Sequence, residues 1–129
     1  MIENNVDTVK VWLRGYLDEK VRMESLLRVL EDLNDMTSQK TESAQKLETI
    51  IIHIHETLLA REATISCLED TRQRLILTLR YLEGLRWDAI AKTMCYEGSQ
   101  VFKIHCKALQ EVQILMATSL PDQHGNGAQ

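Results

Sequence analysis

Residues Leu75 to Leu109 read LILTLRYLEGLRWDAIAKTMCYEGSQVFKIHCKAL, and this stretch decides the fold. It divides into three short helical segments at two breaks. Just ahead of it, Asp70-Thr71 offers an N-cap and a change of direction into a helix over 72–83. Gly84 stands where a helix C-terminus favours a residue with positive φ. A second helix is predicted over Trp87–Met94, followed by a turn over 95–98. Ser99 is then a candidate N-cap for a third helix reaching to about Met116. Leu75, Leu79, Leu82, Leu85, Ile90, Ala91, Met94, Val101, Ile104 and Leu109 fall at spacings that let three helices enclose a small core. Ala91 is small enough for two of them to cross closely. The pattern is the outline of a helix-turn-helix.

On the N-terminal side the period is longer and more regular. Val6, Val9, Leu13, Tyr16, Met23, Leu27 and Leu30 recur at helical spacing, widened by Leu17, Leu26 and Leu33, with Lys20 the one charge on the narrow seam. The polar run 34–40 interrupts this helix, and Asp35, Thr37 and Ser38 are candidate caps for the next. A second stripe of Ala44, Leu47, Ile51, Ile54, Leu58, Ile65 and Leu68 occupies a and d positions, with Arg61 as its charged member. Two such helices joined by a short polar link form an antiparallel hairpin or pair between chains. Alone they bury little, so self-association or docking against the C-terminal module is expected. The fold class is all-α: a helical hairpin or coiled coil over 5–70, a helix-turn-helix domain over 71–116, and a disordered tail over 117–129.

Composition agrees. One Pro and five Gly in 129 residues leave few breaks, and 44% hydrophobic residues support a modest core. There is no apolar run of roughly 18 residues to span a membrane. The opening MIENNVD has no signal-peptide pattern, so cytoplasmic residence is expected. Cys67, Cys95 and Cys106 are odd in number and scattered, which fits free thiols. His53 and His55 lie two apart on a helix and point to different faces, and no Cys-x-x-Cys exists, so no metal or cofactor is expected. Cys95 and His105 suggest a nucleophile and base, but no oxyanion feature, glycine-rich loop or carboxylate pair accompanies them. No catalytic residues are assigned. His105, one turn from Val101, reads as a partly buried structural histidine, and Trp87 and Phe102 as half-buried cover.

Once the apolar faces are buried, Ser99, Gln100, Lys103 and Lys107 remain on the outer side of the third helix. Gln suits bidentate bonding to adenine, and Lys103 suits guanine or a phosphate. Lys107, Arg80, Arg86 and Lys92 are placed as positioning contacts to a nucleic-acid backbone. The formal net charge of −4 opposes phosphate binding. Over 72–92, however, Arg72, Arg74, Arg80, Arg86 and Lys92 outnumber Glu83 and Asp88, and the acidity sits mostly in the N-terminal half. The partner so implied is double-stranded DNA.

From Glu69 to Ala91 the chain spells ED-x-R-x-R-L-x-L-x-L-R-Y-L-E-G-L-x-W-x-x-I-A, and Gln100 to Leu109 continues QVFKIHCKAL. These residues resemble the sigma-70 region 4-like proteins of phages and prophages in low-GC Gram-positive bacteria. With the helical segment ahead of it, the likeness covers roughly residues 6–115. The resemblance implies a small late-transcription regulator whose recognition helix reads a promoter element in the major groove. By position, Ser99, Gln100, Phe102 and Lys103 take the places of that helix's base- and phosphate-facing residues, while Lys107, Ala108 and Leu109 match its Lys-Ala-Leu. The sequence also departs from the family pattern. Arg86 replaces a frequent Ser or Thr cap, and Cys95 a frequent turn Gly. Glu97, Gly98 and Ser99 stand where a serine and two basic residues are usual, which weakens phosphate attraction.

Those departures keep two other functions in view. One is a non-catalytic interaction protein that binds RNA polymerase or another phage protein through its N-terminal half. The other is a DNA-packaging accessory resembling a small terminase subunit. A homo-oligomer held by the N-terminal helices is expected.

Overall fold

The computed structural model describes residues 6–37 and 39–119. All of the regular structure among them is helical. Helix α1 (Val6–Met36) and helix α2 (Glu42–Ser66) pair antiparallel: Arg61, late in α2, reaches Trp12, early in α1. Helix α3 (Thr71–Leu77) runs directly into a π-helical segment (Thr78–Leu82); α4 (Trp87–Met94) and α5 (Gly98–Ser119) complete the chain.

Capping explains most of the boundaries. Asp70 caps α3 as expected, its carboxylate accepting from the amides of Arg72 at 2.8 Å and Gln73 at 3.1 Å. These bonds hold the Asp70 carboxyl below the usual carboxylate range. The cap of α2 is Thr41, whose hydroxyl accepts from Ala44 N–H at 3.1 Å, and not Asp35 or Thr37. Ser38 lies outside the described residues. Asp35 belongs to α1, which runs three residues beyond the predicted end, and Thr37 Oγ1 is engaged by Gln39 N–H. Gly84 has φ +78, the positive value its position calls for. At the far end α5 continues through Ala117, Thr118 and Ser119, which the sequence assigned to a disordered tail; 120–129 lie outside the described residues.

The α2 stripe is buried as its heptad predicts, at Ala44, Ile51, Ile54, Leu58, Arg61, Ile65 and Leu68, with Leu47 half-buried. In α1 the seam drifts. Val9, Leu13 and Tyr16 are buried, but Leu27 is exposed and Leu26 takes its place against Ile54 and Leu58.

The main core joins the hairpin to the C-terminal helices: Val9 and Leu13, Ile65 and Leu68, Leu77 and Tyr81, and Ala108, Leu109 and Val112 pack together. A second core holds Ile76, Ile90 and Val101, flanked by Leu79, Leu85, Ala91, Met94 and Ile104. Helix α3 is wedged between the two, so its adjacent residues Ile76 and Leu77 are both fully buried. Leu75, predicted as core, is 40% exposed because neither core faces it. The expected docking of the hairpin on the C-terminal module is thus realised.

Arg61 shows how a charge enters the seam. It is 4% exposed, and its Nε donates to the Trp12 carbonyl at 2.7 Å. Its Nη1 donates to the Thr57 carbonyl at 3.0 Å and to Glu19 at 3.2 Å, which supplies the compensating charge. The guanidinium also lies 5.3 Å from the Trp12 ring centroid. Gly15 makes the room. A Cβ there would stand 3.1 Å from Arg61 Nη2.

Candidate nucleic-acid interface

Helices α4 and α5 are joined by a turn whose backbone is set by Cys95, in the left-handed region at φ 60 and ψ 40. Tyr96 N–H reaches back to the Ala91 carbonyl at 3.0 Å and Cys95 N–H to that of Lys92 at 3.2 Å, a Schellman closure. Cysteine therefore occupies a conformation that glycine adopts without penalty. The resemblance put a glycine at this position, and the geometry explains why.

Helix α5 begins at Gly98, one residue before the predicted cap. Ser99 is therefore inside the helix. The cap belongs to Glu97, whose carbonyl accepts from Val101 N–H at 3.1 Å and whose own N–H donates to Gln100 Oε1 at 3.3 Å. That second bond is the side-chain half of a capping box and ties Gln100 to the helix start.

Ser99, Gln100, Lys103 and Lys107 are all exposed, and a helical period of 3.6 puts them on one side of α5. Opposite them Val101, His105, Ala108, Leu109 and Val112 are buried. Phe102, expected to provide half-buried cover, is 64% exposed at the edge of that outer side. Arg86 and Lys92 are exposed on α4 and just before it, and Arg86 Nε lies 3.5 Å from Asp88 Oδ1. Arg86 makes no side-chain cap to α4.

Arg80 does not stand free. Its Nη1 donates to the Leu85 carbonyl at 3.0 Å, and its guanidinium carbon lies 4.5 Å from the Trp87 ring centroid. It clamps the loop ahead of α4 as well as carrying charge. Trp87 in turn meets His105 edge-on, with centroids 4.6 Å apart.

His105 is more deeply buried than its sequence position suggested, at 2% exposure. Nε2 lies 2.8 Å from the Tyr81 hydroxyl, while Nδ1 has no hydrogen-bond partner. Burial first, then the charges of Lys10 and Arg80, pushes its pKa down to about 4, so the ring is neutral near pH 7. Burial also raises the Tyr81 phenol, against the opposing pull of Arg14 and Arg80.

Two cations of this region were missed in the sequence. Lys10 and Arg14 belong to the hairpin, yet α1 lays them beside Arg80, Trp87, Phe102 and His105. Their i, i+4 spacing next to Val9 and Leu13 was the available signal. It says that they share a face, but not which helix that face meets.

Comparison with family models, with curated proteins and with solved structures returns no match. Among the described residues, no helix is long and apolar enough to cross a membrane.

Proposed function

We propose that this protein is a sequence-specific DNA-binding transcriptional regulator that presents α5 to the major groove. The observation that carries this is the exposed side of α5, where Ser99, Gln100, Lys103 and Lys107 follow a turn-linked short helix. No carboxylate interrupts that side between Ser99 and Lys107. Lys103 and Gln100 read or position, Lys107 and Lys92 engage phosphates, and Arg86 lies at the margin. On this reading, which rests on the resemblance to sigma region 4-like phage proteins, the regulated genes are those of a phage or prophage in a bacterial host.

Glu97 is the weak point of this interface, because it puts a carboxylate where phosphate would approach. Its removal provides the test. A Cβ added at Gly98 would meet open space, with nothing within 4 Å, so a lysine is accommodated there. The double variant Glu97→Lys, Gly98→Lys should bind a labelled duplex at least about tenfold more tightly at low salt. Unchanged affinity in a folded variant would show that the start of α5 does not face DNA.

We further propose that the protein acts as a homo-oligomer through its hairpin. Val29 and Met36 on α1, and Ile52 and Leu59 on α2, are exposed apolar pairs each spaced seven residues apart, hence each on one helix face. Two modest DNA-binding modules on one duplex gain from effective concentration. The same exposed residues favour, as a second reading, docking on RNA polymerase or another phage protein. A homo-oligomer seen by light scattering separates the first from the second.

A further inference from the structure

Between the first turns of α1 and the start of α5 lies a cavity of about 280 Å³. Lys10 and Arg14 reach it from α1, Arg80 from the π-helical segment, Trp87 from α4, and Phe102 and His105 from α5. No carboxylate lines it. A chain of net charge −4 has therefore gathered three cations around one opening, and among the described residues none of the three forms an ion pair. Their mutual repulsion is retained in the fold, and an anion would relieve it.

The walls are flat and apolar where Trp87 and Phe102 contribute. His105 lines the floor, and its Nδ1, closed to solvent, has no partner. Leaving a buried ring nitrogen without a partner is costly, and such groups call for an explanation.

We propose that this cavity binds a small aromatic anion: one flat ring bearing a carboxylate or phosphate. The ring lies against Trp87 and Phe102, beside His105, and the anionic group sits among Lys10, Arg14 and Arg80. The volume is at the low end for ligand pockets, which usually span about 300–1,000 Å³, and suits a small ligand. The site shares Arg80 and Phe102 with the residues expected to face DNA, but adds Lys10, Arg14 and Trp87 and uses neither Lys103 nor Lys107.

The test is an NMR titration of the isotope-labelled full chain with benzoate, nicotinate and phenyl phosphate. Benzamide, nicotinamide and inorganic phosphate serve as comparisons. At least one ring anion should saturably shift the Trp87 indole N–H and the His105 ring nitrogens at millimolar concentration. The neutral amides should not, and inorganic phosphate should bind more weakly. Lys10→Ala, Arg14→Ala should weaken the ring anion by about tenfold or more, with helicity unchanged. The proposal is overturned if no ring anion shifts these signals, if the amides or inorganic phosphate bind as tightly, or if the double variant binds unchanged. It is also overturned if a short DNA duplex shifts the His105 ring in the same way, since the cavity would then serve a DNA phosphate.

Discussion

Cys95 carries a side chain through a left-handed turn, and that has a measurable cost. An L-residue in this region is disfavoured by roughly 1–2 kcal/mol, of which glycine's greater unfolded-state freedom takes back about 0.5–1. Cys95→Gly should therefore stabilise the fold by about 0.5–1 kcal/mol in denaturant unfolding, and a loss of stability would contradict the turn geometry. Gly84 is the opposite case. Its φ is +78 and a Cβ would lie 2.9 Å from Leu17 Cδ1. Gly84→Ala should cost about 1–3 kcal/mol by the same measurement. His105 supplies a pH dependence. Its pKa falls from 6.5 to about 4 on folding, so the unfolded chain binds the proton more readily. Stability from this group is complete above about pH 6.5 and is lost as pH falls toward 4, by up to about 3 kcal/mol. The groups facing it are Lys10, Arg80, Tyr81 and Trp87. A His105→Phe variant should lack this part of the slope between pH 7 and 5; an identical slope would show that the buried imidazole is not its source.

At the scale of the elements, the buried Arg61 ties α2 to α1 through Trp12 and Glu19. Removing it with Arg61→Ala should destabilise by about 3–5 kcal/mol, since Glu19 and the Trp12 carbonyl lose their partner and a cavity opens. Arg61→Met, which fills the space but leaves the same partners unpaired, should recover only the cavity part of that loss, and equal losses would mean that pairing rather than volume matters there. The α2 heptad was legible because one face of that helix is buried along its whole length. The α1 seam was legible only near its start, where Val9, Leu13 and Tyr16 meet the body. Farther on, the contact falls on Leu26 and not on Leu27. Leu75 was misplaced because a single-face rule cannot describe α3, which is buried against two cores. The π-helical turn over Thr78–Leu82 left no signal in composition; its i→i−5 bond, Glu83 N–H to the Thr78 carbonyl at 2.9 Å, is a consequence of tertiary context. In the candidate interface, α4 was predicted to the residue and the outer side of α5 correctly grouped. Lys10 and Arg14 were not found, because they join the region only when the hairpin docks.

The whole molecule is a hairpin and a three-helix module sharing one core, so the hairpin contributes charge to the module as well as a surface beyond it. The exposed pair Ile52 and Leu59 belongs to that surface. Ile52→Lys, Leu59→Lys should shift the protein toward monomer in light scattering, and an unchanged mass would place the contact elsewhere. DNA binding is the central claim, and salt dependence addresses it most directly. Each lysine that engages a phosphate adds about one unit to the slope of log affinity against log salt. The measurement is a fluorescence titration of the protein against pooled fragments of its own source genome across a salt series, repeated with Lys103→Ala, Lys107→Ala. The account predicts affinity that rises steeply as salt falls, preference for one fragment, and a slope shallower by about two units in the double variant. No binding at the lowest salt by a folded, helical protein would contradict it and leave protein partners as the function of the exposed helices.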